Sequence, residues 1–508
     1  MPPARADAPL LALRSITKRF GPLTACDAID LTLHRGEVVA LLGENGAGKT
    51  TLMNVLFGRY RADAGTVSVE GHALPPASPH AALEAGVAMV HQHFTLAHNL
   101  NALENIRLGT EGLLGLGARG ARAKVEALME RTGLHVPLDR PVGALPLGAM
   151  QRIEILKALY GEARVLVLDE PTAVLTPQEA DRLFETLRAL TSDGLGVILI
   201  SHKLREVMAI ADRIAVLRHG RKVGEAARAD ADAEGLARLM VGRDVPVPAR
   251  AGRMVGKPVA ILDAVSTGLR DGPDLRDVSL TLRAGEVVGV AGVSGNGQAA
   301  LAAVLGGLAL PSSGTFTLLG EPVRRADPAR FVARGVARVP EDRNRDGVVG
   351  AMSVAENLAI EDLGAVSSRG VLSPRAMRAH AEAAIEAYDV RCPGPDAPAR
   401  LLSGGNVQKL VLARTLGRSP RLVLASQPTR GLDVGAEAEV HRRLLDAAAN
   451  GAAVLVIAED IDELFRIADR IVVMHDGHLA DAGRADALDR GTLGLMMAGE
   501  RAPEPVAA

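Results

Sequence analysis

Short, continuous apolar runs recur along the chain and are separated by longer amphipathic segments rich in alanine. The first half contains the runs EVVALLG, RVLVLDE and GVILISH, and the second half contains EVVGVAG, RLVLASQ and AAVLVIAE. Runs of this length without polar alternation are typical of strands buried on both faces, as in parallel sheets covered by helices. A segment of mixed β character precedes the first run of each half. The pattern predicts an α/β fold with a buried, mainly parallel sheet in each half.

The two halves of the chain are repeats of each other. Residues 36–52 and 285–301, which lie 249 positions apart, read GEVVALLGENGAGKTTL and GEVVGVAGVSGNGQAAL. Further on, IADRIAVLRHGR is matched by IADRIVVMHDGH, 257 positions later. A register kept so closely predicts two copies of one domain. We place them at 1–245 and 258–508, joined by a linker at 246–257 in a stretch rich in Pro and Gly.

Composition disfavours several classes of protein. The 508 residues carry 58 basic and 60 acidic side chains, so the net charge of −2 provides no basic surface for nucleic acid or an anionic membrane. The two cysteines, Cys26 and Cys392, are too few for a disulfide framework and disfavour a four-ligand zinc site. Apolar runs such as 301–310 are shorter than the roughly 18–20 residues of a spanning helix. The N-terminus lacks a signal-peptide pattern, so we expect a globular cytosolic protein.

A glycine-rich turn follows the first apolar run. Residues 43–50, GENGAGKT, fit the pattern G-x-x-x-x-G-K-[ST]. Backbone N–H groups of such a loop surround phosphate oxygens, and the following helix directs its positive end toward them. Lys49 would reach the β- and γ-phosphates, and the Thr50 hydroxyl would bind Mg²⁺. The alternative is an ordinary glycine-rich turn with a surface lysine, and the motif alone does not decide between the two.

Three further polar sites follow apolar runs of the first half. Asp169 and Glu170 end the run VLVLDE, where one carboxylate suits the Mg²⁺ shell and the next can polarise an attacking water. Gln92 follows an earlier run and His202 follows a later one. Singly, each is also compatible with a helix-start or packing role. Together with the P-loop they converge on the carboxyl edge of one sheet, where open α/β folds bind ligands.

The order of these motifs resembles that of ATP-binding cassette (ABC) ATPases, which have a Walker A loop, a Gln loop, a signature, a Walker B strand and a His switch. The resemblance covers nearly the whole chain, and the signature stands in the second half as LLSGGNVQK, residues 401–409. It implies two tandem P-loop nucleotide-binding domains, each with a mainly parallel core sheet, an antiparallel β subdomain and a helical subdomain. It also implies head-to-tail pairing, with each ATP between the Walker motifs of one cassette and the signature of the other.

Carried over residue by residue, the resemblance implies a full set of site residues. The catalytic groups are Glu170, His202 and Gln92, and Mg²⁺ is held by Thr50, Gln92 and Asp169. ATP is bound by an adenine-stacking aromatic, by the first P-loop and by the signature side of the second cassette, namely Phe20, Gly43, Glu44, Asn45, Gly46, Ala47, Gly48, Lys49, Thr50, Thr51, Ser403, Gly404, Gly405, Gln408 and Asp433.

The departures from the family pattern fall on the other composite site. In the first half, Pro146 and Leu147 replace the signature serine and glycine, and Thr176 stands with them. In the second half the lysine, the magnesium hydroxyl, the carboxylates, the glutamine and the histidine are replaced, and this degenerate site consists of Gly292, Gly295, Gly297, Gln298, Ala299, Glu341, Ser426, Gln427 and Glu459. Random decay would scatter the losses over both sites. We therefore expect one hydrolytic site per chain, and the retained glycines leave open whether the second site binds nucleotide.

The resemblance also implies partners. Fused cassettes of this kind resemble the ATPases of simple-sugar and nucleoside importers, and the strings MVHQHFTL, VPEDRNRDG and QPTRGLDVGA resemble the nucleoside-type group. This implies two integral membrane permease subunits, an extracytoplasmic solute-binding lipoprotein and a peripheral position on the cytoplasmic face of the cell membrane. The permeases would dock near 93–109 and 342–360. Phe94, Leu96 and Leu100 are candidate docking residues, although core packing explains each of them equally well.

Two other classes of protein stay open from the sequence. A soluble twin-cassette ATPase acting on ribosomes or DNA is disfavoured by the short linker, by the single intact site, by the two cysteines and by the net charge of −2. A pure nucleotide-binding regulator is disfavoured by Glu170 and His202. The transported solute cannot be derived, because no residue of an ATPase subunit would contact it.

Overall fold

The apolar runs of both halves form the strands of two core sheets, as their composition predicts. In the computed structural model the chain divides into two compact units, Met1–Val245 and Pro246–Ala508. The structure describes residues 8–44, 46–91, 94–109, 118–172, 175, 177–201, 203–242, 254–268, 273–497 and 499. Within these ranges, no helix is long and apolar enough to cross a membrane. Several predicted positions lie outside them, namely Asn45, Gln92, Thr176, His202 and most of the linker 246–257.

The first unit begins with two long strands and then alternates helices with strands. Its strands are β1 (Leu11–Phe20), β2 (Leu23–Leu33), β3 (Val38–Leu42), β4 (Ala64–Val69), β5 (His72–Ala73), β6 (Val87–Val90), β7 (Val165–Asp169), β8 (Gly196–Ile200), β9 (Arg213–Arg218) and β10 (Arg221–Ala227). Its helices are α1 (Lys49–Leu56), α2 (Pro79–Glu84), α3 (Ala102–Arg107), α4 (Ala118–Thr132), α5 (Leu147–Tyr160), α6 (Pro177–Ser192), α7 (Leu204–Ile210) and α8 (Ala233–Val241), with short 3₁₀ turns at Val142–Ala144 and Arg228–Asp230.

These strands form two sheets with a core on each face of the larger one. The core sheet has the order β10-β9-β3-β8-β7-β6, in which only β10 runs antiparallel to its neighbour. The smaller sheet is antiparallel, with the order β2-β1-β4-β5. Alternate residues of β7 enter two different apolar clusters: Val165 and Val167 pack with the small sheet and α1, and Leu166 and Leu168 pack with α3 to α6. Burial on both faces explains why the strand is continuously apolar.

The strand order places the predicted motif loops side by side. β3, β8 and β7 are consecutive parallel neighbours, and Ile200 at the end of β8 is paired with both Leu41 and Asp169. The P-loop, the Walker B acids and the segment leading to the His switch therefore leave the sheet at one edge. β6, which leads to the Gln loop, lies next to β7. The predicted fold class is confirmed.

The second unit repeats this sequence of elements. Its strands are β11 (Pro258–Ser266), β12 (Val278–Arg283), β13 (Val287–Ala291), β14 (Ser313–Leu318), β15 (Glu321–Pro322), β16 (Val336–Val339), β17 (Ser367–Ser368), β18 (Val371–Leu372), β19 (Leu422–Ser426), β20 (Ala453–Ala458), β21 (Arg470–His475) and β22 (His478–Arg484). Its helices are α9 (Gln298–Leu305), α10 (Pro328–Ala333), α11 (Val354–Ala359), α12 (Pro374–Ala387), α13 (Gly404–Leu416), α14 (Val434–Ala449), α15 (Ile461–Ile467) and α16 (Arg490–Met497), with a 3₁₀ turn at Ala399–Leu401 and a π-helical turn at Arg343–Gly347.

The sheets of the second unit follow the topology of the first. The core sheet has the order β16-β19-β20-β13-β21-β22, again parallel except for its last strand. The antiparallel sheet has the order β12-β11-β14-β15, and β17 and β18 form a separate hairpin. The P-loop strand β13 therefore lies between β20 and β21, as β3 lies between β8 and β9.

A buried asparagine organises the loop before α3 in the first unit. The side chain of Asn105 is fully buried, and its Oδ1 accepts a hydrogen bond from the Ala97 N–H at 2.8 Å. Its Nδ2 lies within 3.3 Å of the carbonyl oxygens of Ala97, Leu100 and Asn101. Asn357 makes the equivalent four contacts before α11 in the second unit. The loop conformation therefore depends on one amide side chain in each unit.

We expect Asn105→Ala to lower the free energy of unfolding of the first unit by about 2–3 kcal/mol, because a backbone N–H and several carbonyl oxygens lose their partner in a buried setting. Urea unfolding measures this change. Asn99→Ala, at an exposed position of the same loop, is the control and should leave the transition in place. Equal stability of the two variants would contradict the role of Asn105.

Candidate functional site

The ammonium group of Lys49 is buried inside the loop that precedes α1. Its side chain is only 7% exposed, and Nζ donates hydrogen bonds to the carbonyl oxygens of Gly43 at 2.6 Å and Glu44 at 3.0 Å. Thr50 is exposed and Thr51 is half-buried. A lysine held in this way presents a fixed positive charge at the start of the helix, where backbone N–H groups already favour anions.

Two glycines allow the same loop to pass close to neighbouring backbone. Gly43 and Gly48 adopt φ angles of +154° and +102°. A Cβ atom on Gly43 would lie 2.4 Å from the carbonyl oxygen of Leu217, and one on Gly48 would lie 2.3 Å from that of Ala25. A Cβ on Gly46, in contrast, would meet nothing within 4 Å. The loop is therefore closely packed at both ends and open at its middle, where a phosphate group can approach.

Two acidic side chains lie at the end of β7, close to the lysine. Asp169 is 8% exposed, and burial together with the charge of Glu170 raises its pKa to about 6, although Lys49 acts in the opposite direction. The Glu170 N–H donates to the carbonyl oxygen of Ile200 at 2.9 Å, and the residue has a φ of +50°. The strained backbone fixes the direction in which the Glu170 side chain leaves the sheet.

Glu206 connects the loops that follow β7 and β8. Its buried carboxylate accepts hydrogen bonds from the hydroxyl of Thr172 and, at 3.1 Å, from that of Ser201. Lys203 Nζ lies 3.3 Å from the same carboxylate, and the Lys203 N–H donates to Ser201 Oγ. Thr172 follows the Walker B acids, and Ser201 immediately precedes His202 in the sequence. Glu206 therefore links the loop after β7 to the loop after β8.

The predicted adenine-stacking residue stands at the end of β1. The Phe20 side chain is 42% exposed. The Tyr60 ring contacts it edge-on, with 5.5 Å between centroids and 78° between planes, and Lys18 Nζ lies 5.3 Å from its centroid. An exposed ring supported at its edge can stack on a planar base. Stacking on adenine stays a prediction.

The signature of the second unit begins α13. Ser403 is exposed at the N-cap, and its Oγ accepts a hydrogen bond from Asn406 Nδ2 at 2.9 Å, so the hydroxyl hydrogen is left to donate. Gly405 leaves open space, since a Cβ there would meet only Ala436 at 3.8 Å. Gln408, predicted as an ATP contact, is 2% exposed, and its Nε2 donates to the carbonyl oxygen of Pro428 at 2.8 Å. The structure thus places Gln408 as a connection between α13 and the Walker B loop, while its contact with ATP stays untested.

Other predicted residues also have internal contacts. Asp433 is the N-cap of α14 and accepts a hydrogen bond from the Ala436 N–H at 2.8 Å. Leu96 is 6% exposed and belongs to the core of the first unit, and the partly buried Phe94 packs against the same core. Core packing, which the sequence left as an alternative, therefore explains Leu96. In the degenerate signature, Leu147 is 50% exposed where the other unit has Gly404.

The second P-loop keeps its shape but replaces charge with neutral amides. Gln298 Nε2 donates to the carbonyl oxygen of Val293 at 3.0 Å, and Gln298 Oε1 accepts from the Asn296 N–H at 3.0 Å. Asn296 Nδ2 donates to the same Val293 carbonyl at 2.9 Å. The φ angles of Gly292 and Gly297, +157° and +112°, match those of the first loop. The loop is therefore hydrogen-bonded to itself without a cation.

The second Walker B position also keeps the backbone conformation of the first unit but not its acidic side chains. The Gln427 N–H donates to the carbonyl oxygen of Ile457 at 2.7 Å, and its φ is +47°, as for Glu170. Its Oε1 accepts from the Glu459 N–H at 3.3 Å. Ser426 stands where the first unit has Asp169. Nothing at these two positions supplies an anionic ligand for a metal ion or a base for water.

The first unit has a P-loop with a buried lysine and two acids at the end of β7, and the second unit has a signature helix, α13. These features define nucleotide-binding ATPase cassettes. Comparison with known proteins identifies the family. The family model described as "ABC transporter" matches residues 26–173 and 275–430, one match in each unit. The chain belongs to the ABC transporter family and is an ATP-binding cassette ATPase, which confirms the resemblance predicted from its motifs.

Curated relatives match the chain over nearly its whole length. It is 43% identical to a glucose import ATP-binding protein of Haloferax volcanii, with 97% of this chain and 96% of the relative covered. It is 42% identical to a nucleoside import ATP-binding protein of Lactococcus lactis, with 97% and 99% covered. Among solved structures, an archaeal ribosome recycling factor in complex with a ribosomal stalk protein matches with a TM-score of 0.63 at 18% identity, over 92% of this chain and 90% of that one. This last likeness concerns the fold alone.

Sequence reasoning missed Glu206 as a site residue. A glutamate recurs 257 positions later as Glu463, in the register of the internal repeat, and this recurrence was the available signal. In the second unit the partner has changed, since Glu463 Oε1 lies 3.0 Å from Nε2 of the buried His441. The hydroxyl partner Ser201 has no counterpart there, because Ala458 occupies its position.

We expect Asp169→Asn to raise the melting temperature of the chain by about 2–6 °C above pH 6, without nucleotide or divalent cation. Folding raises the pKa of Asp169 from 3.8 to about 6. Above pH 6 the carboxylate is ionised in both the folded and the unfolded chain, and its burial lowers the free energy of unfolding. This destabilisation disappears as the pH falls toward 4, where the carboxyl group of the folded chain is protonated. Thermal melts at pH 4 to 8 measure the change. Asp193→Asn, at an exposed position, is the control. A gain independent of pH would contradict this account.

Proposed function

We propose that this chain is the ATP-hydrolysing subunit of an importer that takes up a nucleoside or a simple sugar through separate membrane subunits. One observation carries the proposal: every group needed for one composite ATP site is retained, and nearly every group for the other is lost. The first cassette keeps Lys49, Asp169 and Glu170, and the second keeps the signature Ser403 and Gly404. A chain selected for hydrolysis at a single site explains this distribution.

In the proposed reaction, water attacks the γ-phosphate of ATP in line with the leaving ADP oxygen. Glu170 orients that water and accepts its proton, Lys49 stabilises the charge on the β- and γ-phosphates, and the signature N-terminus of the second cassette binds the γ-phosphate from the other side. Gln92 and His202 complete the proposed site around the attacking water. Glu206 keeps the loops of Glu170 and His202 in register.

The residues at this site fit a magnesium ion. The Asp169 carboxylate is nearly buried and has its pKa raised to about 6, because burial and the charge of Glu170 outweigh the effect of Lys49 among the residues that the structure describes. A carboxylate, a threonine hydroxyl and an amide oxygen are hard oxygen donors of the kind that Mg²⁺ prefers. Asp169, Thr50 and Gln92 would hold the ion, which supplies charge neutralisation to the phosphates when bound.

The second site is proposed to be incapable of hydrolysis. Gln298 and Ala299 replace the lysine and the hydroxyl, and Ser426 and Gln427 replace the two carboxylates. Loss of one electrostatic contact of this type raises the activation free energy of phosphoryl transfer by on the order of several kcal/mol. The second cassette then serves the first by providing Ser403, Gly404, Gly405 and the loop that contains Asp433.

The names of the relatives support a proposal for partners and location. Import ATP-binding proteins of glucose and of nucleosides support an importer role for this chain. We propose two membrane permease subunits, an extracytoplasmic solute-binding lipoprotein and a peripheral position on the cytoplasmic face of the membrane, reached only through the permeases. The exposed apolar residues Val349, Met352 and Ile360 support docking along 342–360 in the second cassette.

We expect Glu170→Gln to lower steady-state ATP turnover by at least about a hundredfold while ATP still binds, because only the proton acceptor is removed. The matched variant at the equivalent position of the second cassette, Gln427→Ala, should retain at least about half of the wild-type turnover. Phosphate release measures both. Substantial turnover in Glu170→Gln, or a comparable loss in Gln427→Ala, would contradict a single hydrolytic site.

The solute class is tested by stimulation of the reconstituted complex. We expect nucleosides, presented with the solute-binding protein, to raise ATP hydrolysis several-fold through the coupled permeases, and we expect pentoses and hexoses to leave the basal rate unchanged. A complex without the solute-binding protein is the control. Stimulation by a sugar and not by nucleosides would replace the nucleoside assignment by a sugar one and leave the importer proposal intact.

A further inference from the structure

The loop after β16 in the second unit is three residues longer than its counterpart in the first. Fifteen positions separate the end of β6 from Asn105 (90 to 105), and eighteen separate the end of β16 from Asn357 (339 to 357). The longer loop contains the π-helical turn Arg343–Gly347, which is capped by Asp342 through hydrogen bonds from two backbone N–H groups at 3.0 Å. We call residues 341–347 the brace segment.

The brace segment is attached to the signature helix α13 at both ends of that helix. Near the C-terminal end, Arg414 Nη2 donates to the carbonyl oxygen of Gly347 at 2.7 Å. A Cβ on Gly347 would lie 3.1 Å from Val411. At the N-terminal end, the guanidinium of Arg343 packs on Gly404, where a Cβ would lie 2.9 Å from Nη2. The segment therefore follows the helix from its first turn to its last.

The same segment is attached to the loop 428–433 that follows the degenerate Walker B strand. Arg343 Nη1 donates to the carbonyl oxygen of Arg430 at 2.7 Å. The Arg430 guanidinium in turn forms an ion pair with Glu341, the residue that replaces the Gln-loop glutamine. This loop ends at Asp433, so Arg343 contacts both parts of the second cassette that are proposed to complete the intact ATP site.

Arg343 is held in this place at an energetic cost. Burial lowers the pKa of its guanidinium, and the nearby Asp342 compensates only in part. Its Nε is buried and has no hydrogen-bond partner among the residues that the structure describes. A buried donor without a partner is destabilising, and such groups in native proteins call for an explanation beyond stability.

We propose that Arg343 is a positioning residue for ATP hydrolysis, which sets the signature turn at Gly404 and the loop 428–433 in their active arrangement. This inference rests on the proposed function, in which that turn completes the ATP site of the first cassette. In the first cassette the loop after β6 carries Gln92, a proposed nucleotide contact. In the second, the corresponding loop has instead become a fixed support for the signature.

The test measures ATP turnover by the full-length chain with Arg343→Met. We expect kcat to fall about tenfold while KM and ATP affinity stay within about twofold, because the P-loop that binds ATP belongs to the other cassette. Arg343→Lys, which keeps the charge and N–H donors but not the planar guanidinium, should recover part of the loss. Arg418→Met is the matched control, since Arg418 also donates to a backbone carbonyl of the second unit, that of Glu361, and is exposed. Its kcat should be unchanged.

A double-mutant cycle with Ser403→Ala separates positioning of the signature from general loss of structure. Because Arg343 acts in part through the signature turn, the loss of turnover in the double variant should be smaller than the product of the two single losses. If the fold-reduction in kcat of the double variant equals the product of the two single reductions, the inference is overturned. A wild-type kcat in Arg343→Met would also overturn it. If Ser403→Ala itself keeps wild-type turnover, the composite site and with it the proposed function fail. A loss in Ser403→Ala without one in Arg343→Met removes only the role of Arg343.

Discussion

The first cassette depends on the interaction of three charged groups at the carboxyl end of its core sheet. They are the ammonium group of Lys49 and the carboxyl groups of Asp169 and Glu170. Lys49 donates to two carbonyl oxygens of its own loop, and Asp169 is nearly buried beside it with a pKa of about 6. Charges held away from water are costly unless compensated, and burial together with the charge of Glu170 raises the pKa of Asp169 more than Lys49 lowers it. This raised pKa agrees with the proposal that a divalent cation joins Asp169 when ATP binds.

The second cassette shows that the fold does not need these charges. Its strand order is the same, the glycines of its P-loop adopt the same positive φ angles, and Gln427 repeats the backbone hydrogen bond and φ of Glu170. Neutral amides of Asn296 and Gln298 satisfy the loop from within. Backbone shape and phosphate chemistry are thus separable in this chain, since the second unit keeps the loop shape without the charged side chains.

Much of the fold and part of the site could be predicted from the sequence. Continuous apolar runs identify strands buried on both faces, and the spacing around Lys49 identifies the loop, because both depend on local pattern. Glu206, Gln408 and Arg343 depend on contacts between segments distant in the chain, and no local pattern reports them. Gln408 illustrates this limit: its place in the signature predicts a contact with ATP, which stays a prediction, but does not report the hydrogen bond from its amide to the carbonyl oxygen of Pro428.

The central claim is that the chain has one hydrolytic ATP site, built on the first P-loop. Trapping with Mg²⁺, a photoreactive ATP analogue and orthovanadate, followed by peptide mapping, tests it most directly. The account predicts one trapped ADP per chain, with the label confined to peptides of the first P-loop and of the signature at 401–409. Two trapped ADP molecules per chain, or label on the loop 292–299, would contradict it.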